Sequence, residues 1–541
     1  MPTATRRPFT ATSTQTPTTL PSPTGTATVV PTLTPVPTSA AQPGQGATAT
    51  STPLQDGGVG SGATPSPTPT VTPSSFLVPT QISAPTRIPS PIPGSRAPNG
   101  LSPLPGHRPA APVARSASTG GLSTRWYFAE GSSSKFDRET IALLNPGPRR
   151  AYVVATLIRA DGRIVSLVGE VPATGRASLE VGDAAGRGDL LSAIVRSTEP
   201  LVAERTISLA SPLLEGTAGA TVAGQRAPSM RWYLPRMRLV KDEQERLAIL
   251  NPNQLPVRVL VSAVTGGTLR PLQQIELPAQ RALGIPVPGG ATSTVVEVLT
   301  PGSPGVVAEE STLYSGQQGY TAAAGSTALQ ADGYFPGDSG GAGDAAILFN
   351  PGSARAQVVL TGLSPAGASL GTIRQSVPAG SQLVVRLASA AMRVRALLHM
   401  QADRPIAAAF VGSLAPSLEQ SLAKTYRGSV SAPLALPATE ILFAEGDTRP
   451  LLSDPRESLI LSNPGRAAAH VAVTLLGTGG RAASRQVWVP AGATIRLDLT
   501  VWGIAAQHGL LVHASSPIVA LRSIDLNERA VRLESAGVAA S

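Results

Sequence analysis

Gly337-Asp338-Ser339-Gly340-Gly341 matches the serine-nucleophile motif of chymotrypsin-like proteases. That chemistry needs a histidine base and a buried aspartate ahead of the serine in the chain. The only upstream histidine is His107, inside a Thr/Pro/Ser tract, so no triad can be assembled. Arg187-Gly188-Asp189 is an integrin-type tripeptide in a predicted loop, short enough to arise by chance. The histidines are His107, His399, His470, His508 and His513. The last two are not spaced as a helical zinc pair, and acidic residues do not cluster as in calcium loops. With no cysteine, disulfides, thiolate metal sites and cysteine nucleophiles are excluded. The chain is read as non-enzymatic, with no catalytic residue, metal or cofactor.

Exposed aromatic rings are the other chemistry to weigh, because they stack on sugars. Aromatics make up only 4% of the chain. Trp126 and Trp232 occupy equivalent first-strand positions and read as packing residues. Trp488 aligns with Glu170, Glu276 and Ser376, so strand alternation points it outward. Trp502 falls in the loop that follows. These two are the candidate ligand contacts. The net charge of +10 comes almost wholly from arginine, the lysines being Lys135, Lys241 and Lys424. The arginines are scattered singly and lack the clustered stripe of a nucleic-acid footprint, so no nucleic-acid partner is expected. No apolar run reaches the length of a membrane span.

The elements that must position these residues follow from internal repetition. Residues 1–120 are a Thr/Pro/Ser-rich tract in which Asp56 is the only acid. So few large apolar side chains cannot offset ordering entropy, and a disordered, polyproline-biased stalk or linker is expected. Such a composition also suits O-glycosylation. Beyond it three landmarks recur in fixed order. An apolar run ends at Asn-Pro at Asn145, Asn251, Asn350 and Asn463. An apolar-Pro-Ala step follows at Pro172, Pro278, Pro378 and Pro490, separated from the Asn by 27, 27, 28 and 27 residues. A proline opening a final apolar strand comes next, at Pro200, Pro304, Pro405 and Pro517. Four tandem copies result, at 124–228, 229–331, 332–433 and 438–541. Each Asn-Pro reads as a strand end running into a turn whose next Gly or Asn takes positive φ. In the first copy, short strands are expected at 126–128, 140–144, 152–158, 164–171, 177–181, 190–195, 201–209 and 217–224. Asp161-Gly162 is a hairpin signal. That many strands per hundred residues indicates an all-β chain of four immunoglobulin-like β-sandwiches. Short inter-copy segments such as Arg226–Ser229 should limit but not abolish bending.

Trp126-Tyr127-Phe128-Ala129-Glu130-Gly131, the Asn-Pro-Gly corner and Pro200–Arg205 together resemble a family of bacterial repeat domains of unknown function. The fourth copy keeps much of this pattern as Phe443-Ala444-Glu445-Gly446 and Pro517–Ala520, whereas the second and third depart from it. The resemblance implies immunoglobulin-like sandwiches on extracellular proteins behind Thr/Pro-rich stalks, and supplies no catalytic residues. Aligning the copies shows two positions changing charge together: Glu130 with Arg205, Arg236 with Glu310, Gly337 with Phe410, and Glu445 with Arg522. The charged pairs are expected to be ion pairs joining the first and last strands of one copy. The expected role is a secreted or cell-surface spacer or adhesion module, contacting envelope glycan or another surface protein. The alternative is a carbohydrate-binding accessory module with its site in the fourth copy. No signal peptide is visible, since Arg6-Arg7 precedes Pro-Phe-Thr-Ala-Thr-Ser; for an exported protein the expectation is a true start upstream of Met1 or an anchor lost from this reading frame.

Overall fold

The computed structural model describes Ala11–Thr12 and residues 121–539, with gaps at 133–136, 187–189, 212–213, 237–243, 315–318, 338–343, 388, 390–391, 393–394, 414–428, 449–455, 503–505 and 527–530. The tract 1–120 lies outside the described residues apart from Ala11–Thr12, which pair with Ser166 and Leu167. The tripeptide 187–189 and most of the 337–341 motif also lie outside them.

The described chain is almost wholly antiparallel β-structure, with one four-residue helix at Gly182–Ala185. In the first segment, Ile164–Val171, Ala151–Arg159, the first half of Leu191–Ser211 and Ser123–Phe128 pair in that order as one sheet. Gly175–Glu180, Asp137–Asn145, the second half of Leu191–Ser211 and Leu214–Ala223 form the other. One long strand thus crosses between sheets where two short ones were expected. Leu397–Ser413 and His508–Leu526 do the same in the third and fourth segments. In the second, Ala291–Val298 and Val307–Tyr314 are separate strands. Alternating strands such as Ala151–Arg159 send every second side chain into a core of Ala, Val, Leu and Ile. Trp126 and Trp232 are buried there, each indole N–H donating to a backbone carbonyl, Leu201 O at 3.0 Å and Val306 O at 2.7 Å.

The Asn-Pro corner and the Pro-Ala step are joined directly. Asn145 is fully buried, and its Nδ2 donates to Arg149 O at 2.7 Å and Pro172 O at 3.0 Å. Its Oδ1 accepts from Gly147 N at 3.0 Å. Asn251, Asn350 and Asn463 repeat this set, with Pro278, Pro378 and Pro490 as the distant acceptors. A spacing of 27 or 28 residues is therefore the length of the loop that one buried amide closes.

The expected positive φ at this corner is corrected. Gly147, Gly352 and Gly465 are not left-handed; a Cβ there would stand 3.0–3.2 Å from the Asn Oδ1, so the glycine leaves room for an Asx turn. The left-handed position lies two residues after the partner proline: Thr174 at φ 45°, Gln280 at 51°, Gly380 at 60° and Gly492 at 70°. Left-handed backbone costs a residue bearing a Cβ roughly 1 kcal/mol. Thr174→Gly and Gln280→Gly are each expected to raise stability by about 0.5–1 kcal/mol, measured by urea denaturation. Glycine in the unfolded chain offsets part of that gain.

The segments do not hang as a bendable string. The core of the first continues into Leu442, Ala444, Leu476 and Val538 of the fourth. Tyr127, Ala129, Ile158, Leu190 and Ile194 belong instead to the core of the second. Tyr233, Val264 and Val295 of the second pack with Phe349 and Ala407 of the third. Thr494 N of the fourth donates to Pro365 O of the third at 2.8 Å. Packing therefore runs from first to second, to third, to fourth and back to the first, closing a ring. Strands Leu214–Ala223, Gly319–Ala324, Ser429–Pro433 and Val531–Ser535, one from each segment, meet in turn at its centre. The bending expected at Arg226–Ser229 is overturned, because the apolar surfaces that would be exposed by it are shared cores.

Candidate functional site

Most of the fully buried charged groups among the described residues lie at or beside the junctions of this ring. At the first, Arg205 and Glu309 are fully buried with Nη2 and Oε2 3.1 Å apart. The same Glu309 oxygen accepts the backbone N–H of Glu130 at 2.8 Å. The Glu130 carboxylate pairs with Arg246 of the second segment. At the fourth junction the pattern returns. Glu204 Oε2 accepts from Glu445 N at 2.8 Å and lies 3.9 Å from Arg522, while Arg176 pairs with Glu445 at 3.2 Å. Arg176 Nε also donates to Ala444 O at 3.0 Å. At the second junction, Arg236 pairs with Glu245 and lies 4.0 Å from Glu310. Gln382, standing where the first segment has Arg176, donates to Arg236 O at 2.8 Å. The third junction is apolar, with Gly337 and Phe410 on one side and Leu521 on the other.

Of the pairs expected within one copy, only Arg236 and Glu310 stand within 4.0 Å. Glu130 and Arg205 take their nearest opposite charges from the second segment; Glu445 and Arg522 take theirs from the first. The strand order explains this. The loop after Ser123–Phe128 and the second half of Leu191–Ser211 lie on different sheets but face the same neighbour. The paired change of charge reflects that shared neighbour.

One repeated residue escaped the sequence reading. Glu139, Glu245, Asp344 and Glu457 each stand six residues before the corner asparagine, and each is buried. Glu139 accepts from Ser132 N at 2.8 Å and Glu457 from Asp447 N at 2.9 Å, so the acid holds the loop after the first strand. That loop needs its glycine: a Cβ on Gly131 would lie 2.0 Å from Leu191 O, and one on Gly446 2.7 Å from His508 O. The local cation differs by segment. Arg236 serves Glu245, Arg395 binds Asp344 at 2.7 Å, and His508 lies 3.2 Å from Glu457 without hydrogen-bond alignment. The fixed six-residue spacing was the available signal.

Burial sets the electrostatics here. It pushes the Glu139 carboxyl up to about 8, against the pull of Arg205 and the Ser132 N–H. It lifts Glu310 to about 7 against Arg236. Glu309 and Glu445 are raised by burial too, opposed by Arg205 and Arg176 respectively. Burial lowers His508, but Glu457 and the Ala506 carbonyl outweigh it and hold the imidazole above its ordinary value.

The two candidate tryptophans do not form one platform. Trp488 is 53% exposed and edge-on to His470, its cross-strand partner, with ring centres 3.9 Å apart. Trp502 is partly buried against the core of the fourth segment, with the Arg485 guanidinium 4.6 Å from its ring centre. Arg485 pairs with buried Val473, so it stands on the opposite sheet face from Trp488. Among the described residues, no group of three or more His, Cys, Asp or Glu is placed to hold a metal ion. No described helix is long and apolar enough to cross a membrane.

Residues 398–524 match a family of unknown function, DUF5719. The match runs from within the long strand of the third segment to within that of the fourth, a little more than one period of the landmarks. No curated protein matches the chain. Among solved structures, Thermotoga maritima 1070 is 16% identical with a TM-score of 0.18, over 19% of this chain and 94% of that one. A tetra-tandem repeat from the extending region of a large adhesion protein is 12% identical with a TM-score of 0.11, over 78% and 99%. Glycoside hydrolase family 32 from Bifidobacterium adolescentis is 10% identical with a TM-score of 0.14, over 75% and 100%. Scores this low carry no argument about what the chain does.

Proposed function

We propose that the chain is a non-enzymatic protein of the cell surface or extracellular space. In this reading four copies of one sandwich unit close into a head, carried by the Thr/Pro/Ser-rich tract as a stalk. The head acts in adhesion or envelope contact rather than as an extended spacer. The observation supporting this is the use of the buried charges: Arg205, Glu309, Arg522 and Glu204 join segment to segment. A ring held together in that way is a rigid platform for presenting surface loops.

A second reading, carbohydrate binding, is supported by Trp488, a large ring left exposed beside His470. Trp502 drops out of it because it packs inward. Retention of the chain on isolated cell envelopes, unchanged by Trp488→Ala, favours the first reading. Binding on a glycan array that weakens about tenfold or more in Trp488→Ala, and not in Trp502→Ala, favours the second. Absence of both kinds of binding would discard both readings.

A further inference from the structure

The junctions differ in charge balance. The first holds three carboxylates, Glu130, Glu139 and Glu309, against two guanidiniums, Arg205 and Arg246. Tyr320 lies beside Arg205 and is kept neutral by burial. Among the described residues the second holds Glu245 and Glu310 against Arg236; facing them from the third segment is neutral Gln382. Each therefore carries one acid more than it has cations among the described residues. The third is balanced, Asp344 with Arg395, and its facing residues Phe410 and Leu521 are apolar. The fourth sets Glu204, Glu445, Glu457 and Asp447 near Arg176, Arg522 and His508, whose affinity for a proton is raised by Glu457. An uncompensated charge in such a place is far costlier than a neutral carboxyl.

We propose that the first and second junctions are each locked by one buried proton, and that the ring loosens at these two junctions, and not at the third, as the medium turns alkaline. The proton sits on Glu139 at the first and on Glu310 at the second. This deepens the picture of a closed head but does not depend on what the head binds.

The sign follows from linkage. A carboxyl whose affinity for its proton is raised by closure stabilises the closed state fully in acid, below its ordinary value near 4.5. That contribution is lost progressively as pH rises through the closed-state value, about 7 for Glu310 and about 8 for Glu139. Between pH 6 and 9 the opening equilibrium should rise about tenfold at the second junction and roughly a hundredfold at the first.

The absence of native cysteine makes paired labels unambiguous. Spin labels on the full chain at Arg163→Cys with Leu283→Cys span the first junction; Thr268→Cys with Ala379→Cys span the second. Ala366→Cys with Ala491→Cys span the third. Pulsed electron–electron distances at pH 6 and 9 are expected to gain a longer population at the first two pairs and none at the third. Adding Glu139→Gln should abolish the change at the first pair only, and Glu310→Gln at the second only, since the amide mimics the protonated acid. No change at either of the first two pairs, an equal change at all three, or a change that persists in the glutamine variants would overturn the proposal. So would failure of the glutamine variants to fold at pH 6 by circular dichroism, because they should be at least as stable there as the parent.

Discussion

Glu309→Ala is expected to destabilise the ring by about 2–3 kcal/mol, because it takes the nearest counter-charge from fully buried Arg205, leaving only Glu139 to answer it, and frees the Glu130 N–H. Arg205→Ala should cost a similar amount for the mirror reason. The third junction shows how the same place is filled without charge: glycine, phenylalanine and leucine at the three positions. Installing that set at the first junction, as Glu130→Gly, Arg205→Phe and Glu309→Leu together, should recover most of the loss. Arg246, left without Glu130, has 28% of its side chain exposed and can turn to water. Urea denaturation followed by the buried Trp126 would measure all four proteins. A triple variant as unstable as the single ones added together would show that the charges do more at this junction than match each other.

The second large effect is expected at the corner asparagines. Asn145→Ala removes the donor that satisfies Arg149 O and Pro172 O and the acceptor for Gly147 N, bonds that are partly buried around the fully buried amide. A fully buried group left without a partner costs about 1–3 kcal/mol, and water can reach part of this set, so the loss should be on the order of 2–4 kcal/mol. Asn145→Asp is the sharper probe. It keeps the acceptor but turns the donor into a negative oxygen facing carbonyl oxygens, so at pH 7 it should be no better than alanine. Protonation supplies a donor again, so the aspartate variant, unlike the alanine one, should regain stability relative to wild type as pH falls through its raised folded-state value, the gain being complete near the ordinary aspartate value of about 4. Equal behaviour of the two variants across that range would remove the donor from the explanation.

Both effects bear on what could be read in advance. The asparagine spacing was legible because one amide imposes it locally, inside one segment, four times over. Strand positions were legible for the same reason, apart from the merging of 190–195 with 201–209 into one strand that serves two sheets. The ring was not legible. Alanine and valine at a junction look the same in sequence as alanine and valine in a core, and here they are one core. The charge changes at Glu130 and Arg205 were visible, but the residue they answer to, Glu309, lies in another segment. Covariation between two positions cannot reveal a third that both touch. The acid six residues before each asparagine was visible too; it was overlooked because its cation changes from arginine to histidine along the chain.

The backbone N–H of Gly121 donates to the carbonyl of Ala539, so the start of the first segment meets the finish of the fourth. Linear order is then a convention imposed by the gene, while the molecule has only cyclic order. A permuted polypeptide joining 539 to 121 through a few glycines and cut between Gln225 and Ser229 should reach the same architecture. Each of the other junctions would serve equally as the place where translation begins.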